Sequence, residues 1–177
     1  MTSKLWKVFA AGTLMLLAQL AQAAVSGQIQ ARLTLIAGCE VTNGTGPDSP
    51  VSDFGSLDFG QQGPTWNNPI KASLSDDARG KLNVACNPAV TGFTVTIDGG
   101  THGDGNTRRL SNGTQTIPYR LYQDAARRIP LAVDVPMSGR VPDSGSVDLP
   151  LYARIEPLAE IPRVSRYSDL VKVTVSW

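Results

Sequence analysis

Residues 24–35 constrain this chain more than any other stretch. Val25, Ile29, Ala31, Leu33 and Leu35 fall on one parity, with Gly27 filling the gap. Ser26, Gln28, Gln30, Arg32 and Thr34 fall on the other. Successive side chains of a strand point to opposite faces, so the segment is expected to be a strand with one apolar and one polar face. What precedes it makes it a free end. Lys4 and Lys7 lead into an apolar run from Val8 to Ala18, and Ala21, Gln22 and Ala23 close it as a small-x-small site. That order predicts a secretory signal peptide over residues 1–23, cleaved before Ala24. The run is short for a bilayer span, and with no cysteine after the cleavage site no lipid anchor is expected. A free, strongly patterned strand needs a partner, either its own sheet or that of a neighbouring subunit.

The remainder reads as one all-β domain. Glycine (17) and proline (12) are plentiful among 177 residues, and short alternating runs recur, which favours short strands with frequent turns over helices. Phe93, Val95 and Ile97 alternate with Thr94, Thr96 and Asp98. Leu82, Val84 and Cys86 share a parity, as do Tyr119 and Leu121. Residues 147–155 alternate as one strand, with Pro150 on the polar parity. The last residues place Val171, Val173, Val175 and Trp177 on one face. Roughly seven strands of this kind suit an immunoglobulin-like sandwich.

Cys39 and Cys86 are the two cysteines of the chain. In a secreted protein a disulfide between them is the default. It would stabilise the fold by roughly 4 kcal/mol in the chain-entropy account.

Chemistry is sparse. His102 is the one histidine, so neither a triad nor a histidine metal cage can be assembled, and no G-x-S-x-G elbow is present. No metal and no cofactor are expected. Asp76-Asp77 reads as a charged turn, and Asn43-Gly44 and Asn112-Gly113 as turns rather than glycosylation sites. The glycine-rich loop after Asp98 lacks the fixed acidic offsets of a calcium loop. Arg108-Arg109 and Arg127-Arg128 read as solvated turn flanks. With 16 basic and 15 acidic residues the chain has no field to attract nucleic acid. Trp66 fits a core lid or a sugar-stacking surface. An enzyme is not expected.

Several stretches together carry a resemblance. They are residues 24–28 after the signal peptide, Gly38-Cys39, the Phe54–Gly60 run, Thr65-Trp66-Asn67-Asn68, Val84-Ala85-Cys86, the Phe93–Gly100 run, Arg109-Leu110, the Tyr119–Arg127 run and an aromatic last residue. Over essentially the whole mature chain the sequence resembles the spore coat protein U domain family. Within it the similarity is to subunits of Csu-type archaic chaperone–usher pili, most of all the major rod subunit.

The resemblance implies an incomplete immunoglobulin-like β-sandwich, completed by a donor strand from a neighbouring subunit, a form of β-augmentation. Its partners would be a periplasmic chaperone, an outer-membrane usher, further copies of the pilin, and a tip adhesin or minor subunits. The product would be a cell-surface pilus, secreted through the periplasm, that supports adhesion and biofilm formation. Residues 24–35 would then be the donor strand and residues 36–177 the pilin domain. Val25, Gly27, Ile29, Ala31, Leu33 and Leu35 would fill the groove. Their burial would contribute on the order of 5–10 kcal/mol as an upper bound. Val171, Val173, Val175 and Trp177 would form the groove edge that pairs with the chaperone. Tip adhesins of such pili carry a second domain, for which this chain is short, so a rod or adaptor subunit is expected. Two alternatives remain open on the residues alone. One is a self-contained secreted β-sandwich that binds a carbohydrate, and the other is a coat or matrix protein.

Overall fold

The computed structural model describes residues 26–42, 54–63, 65–75 and 81–177. The expected signal peptide, Ala24, Val25, Asn43-Gly44 and Asp76-Asp77 lie outside the described residues. The chain divides into two units, residues 1–34 and residues 35–177.

Among the described residues the larger unit contains β-strands and no helix. They are β1 (Cys39–Thr42), β2 (Ser56–Leu57), β3 (Ile70–Ser75), β4 (Lys81–Cys86), β5 (Gly92–Ile97), β6 (Arg108–Ser111), β7 (Thr116–Tyr122), β8 (Pro130–Leu131), β9 (Met137–Arg140), β10 (Ser146–Pro150), β11 (Tyr152–Ile155) and β12 (Val173–Ser176). One sheet runs β1-β4-β10, a second runs β2-β3-β11-β7-β6 with β8 on β7, and a third runs β12-β5-β9. Every pairing is antiparallel.

Alternation explains the core. Phe93, Val95 and Ile97 are buried while Gly92, Thr94 and Thr96 are half-buried. Ile117, Tyr119 and Leu121 on β7, Ala153 and Ile155 on β11, Ile70, Ala72 and Leu74 on β3, and Leu82 and Val84 on β4 complete the cluster. Each is the inward parity of its strand. Gly139 of β9 stands opposite Phe93, and a Cβ there would overlap the Phe93 ring. The Phe93 ring occupies the space that a side chain at position 139 would need.

The strands are shorter and more numerous than sequence periodicity suggests. The clean alternation over residues 147–155 spans two strands of different sheets. β10 pairs with β4, whereas β11 pairs with β3 and β7. The break falls at Pro150–Leu151, where proline can donate no ladder hydrogen bond and the buried Leu151 carbonyl accepts from Leu74 N–H at 2.9 Å. A strand that changes sheets forms the corner of a sandwich. Parity continues through the corner, so periodicity does not reveal it.

In the smaller unit, the described residues 26–34 form no strand and are exposed throughout. Ile29 is 98% exposed and Leu33 82%. In the larger unit Leu35 and Ile36 are exposed as well, ahead of β1.

Candidate functional site: two open strand edges

β1 and β12 end their sheets. Among the described residues β1 pairs only with β4, and β12 only with β5. Each therefore has one row of backbone N–H and C=O groups with no strand beside it, which is the template for strand addition. The two edges approach each other at one end, where a Cβ on Gly38 would lie 3.9 Å from Trp177 Nε1.

The apolar parity of β12 faces the core. Val173 stands opposite Ile97 and Val175 opposite Val95. Val171, Val173 and Val175 are half-buried against the core cluster, and Trp177 is 59% exposed. On β1, Cys39 and Val41 are half-buried against the same cluster. The open edges are thus flanked by incompletely covered apolar side chains. Gly27, Ile29, Ala31, Leu33 and Leu35 are exposed and lie in no sheet.

A disulfide joins Cys39 to Cys86 across the β1–β4 ladder, 47 residues apart in sequence. It fastens the first strand to the sandwich at its opening residue.

The approach to β12 is held by a polar latch. Asp98 Oδ1 accepts from Gly100 N–H and Lys172 N–H, both at 2.9 Å, and Asp98 N–H donates to the Lys172 carbonyl at 3.1 Å. Asp169 accepts from Tyr119 Oη at 2.8 Å and from His102 N–H at 3.2 Å. Burial, reinforced by that bond to Asp169, pushes the Tyr119 phenol well above its ordinary pKa, so it stays a donor. Gly100 has φ +78°, and a Cβ there would overlap the Asp169 carboxylate, so the loop accepts no side chain at this point. The glycine-rich stretch weighed as a calcium loop thus uses Asp98 to hold the entry of the last strand. Among the described residues no group of three or more His, Cys, Asp or Glu is placed to hold a metal. His102 is exposed in its loop.

The arginine pairs correct the sequence reading. Arg108 is 3% exposed, not solvated. It donates to the carbonyls of Asp98, Leu131, Ile97 and Ala132 at 2.7–3.2 Å, tying the end of β5 to β8. Burial lowers its pKa from the usual arginine value. Arg127, with φ 57°, donates to the carbonyls of Ala153, Ala125 and Ala72 and lies over the Tyr152 ring. Their neighbours behave as expected of flanks, Arg109 pairing with Asp104 and Arg128 with Asp124. Trp66 is half-buried against the core and donates to the Glu156 carbonyl at 3.2 Å, as a lid would.

Packed antiparallel sheets with a corner strand define an immunoglobulin-like β-sandwich with open edges. Residues 25–174 match the Spore Coat Protein U domain, and the chain belongs to that family. The match indicates no catalytic family. No curated protein matches the chain. Among solved structures it is similar to the P pilus rod subunit PapA, at 13% identity over 78% of this chain and 97% of that one, with a TM-score of 0.50. It is also similar to a chain of the CsuC–CsuE chaperone–tip adhesion subunit pre-assembly complex from the archaic chaperone–usher Csu pili of Acinetobacter baumannii. There the identity is 14% over 81% of this chain, with a TM-score of 0.47, and the chain spans 40% of that one's length.

Proposed function

We propose that the protein is a structural, non-enzymatic subunit of a chaperone–usher pilus, of the rod type, that polymerises by donor-strand complementation. Residues 1–23 are its signal peptide, residues 24–35 its donor strand and residues 36–177 its pilin domain. Val25, Gly27, Ile29, Ala31, Leu33 and Leu35 insert between the open edges of the next copy. Val171, Val173, Val175 and Trp177 line that groove and pair first with a periplasmic chaperone. An outer-membrane usher exchanges chaperone for donor, and a tip adhesin or minor subunits complete the fibre. The pilus stands on the cell surface and supports adhesion and biofilm formation. A head-to-tail contact of this kind does not close on itself, so it generates a filament.

One observation carries the reading. Among the described residues an alternating apolar segment lies exposed and outside every sheet, while β1 and β12, which end their sheets, each keep one edge with no strand beside it. A self-contained sandwich would be expected to pair that segment internally. The test is deletion of residues 24–35 in protein coexpressed with its chaperone. Intact protein is expected to form ladders on unheated gels and fibres by electron microscopy, and the deletion to remain as single subunits. Equal monomers, with the deletion melting earlier, would overturn the proposal in favour of the self-contained sandwich.

A further inference from the structure

Three cations stand in register across the outer face of the second sheet. Lys71 of β3 is opposite Arg154 of β11, and Arg154 is opposite Arg120 of β7. Their neighbours Ile70, Ala72, Ala153, Ile155, Tyr119 and Leu121 are buried core, so the three side chains share the solvent face. Adjacent strands lie about 4.8 Å apart, which makes the row about 10 Å long. Like charges directly opposite one another weaken a strand pair. One carboxylate offsets it, Glu156, 2.6 Å from Arg154 Nη2. Lys71 and Arg120 are exposed, and neither has a carboxylate partner among the described residues. The Arg154 guanidinium lies 5.1 Å over the Tyr122 ring, and its Nε is buried without a hydrogen-bond partner among the described residues.

We propose that this row binds an acidic polysaccharide, a uronate-bearing glycan lying across β3, β11 and β7. The charge complementarity is local and short. A nucleic acid duplex carries a charge every ~1.7 Å and calls for a wide basic field, whereas this chain has a net charge of +1. Single-stranded nucleic acid is held by bases stacked on exposed aromatic rings, and Tyr122 is buried at 3% exposure. A uronate chain, with carboxylates spaced by whole sugar units, matches isolated cations on a flat sheet. The site does not require polymerisation, so it stands apart from the pilin reading.

The experiment is calorimetric titration of the full chain with polyuronate oligomers at low salt. Neutral dextran and a DNA duplex are titrated in parallel. The double variant Lys71→Gln, Arg120→Gln changes exposed side chains, and Arg128→Gln serves as a control off the row. Native protein and the control are expected to bind polyuronate in a salt-sensitive manner, the double variant about tenfold more weakly, and dextran not at all. The proposal is overturned if native protein does not bind polyuronate, if the double variant binds as native does, or if the control loses as much. It is equally overturned if the duplex binds more tightly than polyuronate with the same dependence on the row.

Discussion

Arg108 satisfies four backbone carbonyls from a buried position, with no carboxylate among the described residues in hydrogen-bonding contact. Replacing it with methionine keeps much of its bulk but leaves those acceptors without their donor. The expected loss is about 3 kcal/mol in urea unfolding with an unchanged m-value, since each buried unsatisfied group costs 1–3 kcal/mol. A loss within the range of ordinary surface substitutions would show that water replaces the guanidinium. Asp124 provides a second test. Its carboxylate accepts from Ile129 N–H at 2.7 Å and Arg128 N–H at 2.8 Å, and these bonds hold its pKa below the ordinary 3.8. A depressed folded pKa contributes stability above the unfolded value that disappears as the pH falls through the folded one. Asp124→Asn is therefore expected to flatten the stability–pH profile as the pH falls through and below the ordinary carboxylate range, measured by thermal melts. An unchanged slope would assign the acid sensitivity to other carboxylates. Neither arginine role was legible from charge, because an arginine in a turn-rich stretch ordinarily belongs to solvent. The one available signal was parity, since Arg108 shares the inward face with Leu110.

At the scale of elements, what alternates on one face was readable and what depends on long-range pairing was not. Phe93, Val95 and Ile97 announce β5, and Val173 and Val175 announce β12, because one face is core and the other is not. The corner at Pro150–Leu151 escaped because side-chain parity is the same on both sides of it. The latch from Asp98 to Lys172 escaped because its partners are 74 residues apart. The open edges of β1 and β12 are likewise visible only once the neighbours of each strand are known. The exposed segment ahead of β1 supports a sharper experiment than deletion. Ile29→Asp places a charge on a side chain that is 98% exposed in the single chain. Its unfolding free energy is expected to stay within about 0.5 kcal/mol of native, as for other surface changes, while fibre formation is lost. A destabilisation of 2–5 kcal/mol, on the order of a core truncation, would place the segment in its own sheet.

At the scale of the whole molecule, the disulfide decides how a load would travel. A pull on the residues before Cys39 reaches β4 through a covalent bond, so β1 cannot peel away ahead of the rest. Cys39 and Cys86, 47 positions apart, close a loop that tension at the chain ends cannot extend. At about 3.4 Å per extended residue, that loop hides roughly 160 Å of contour. In single-molecule pulling from the two ends, oxidised protein is expected to lengthen by about that much less than reduced protein. Equal lengths would mean that the bond is absent under the conditions of the pull. A fibre built from such subunits would be a chain of short tethers, each able to yield only part of its length before it holds.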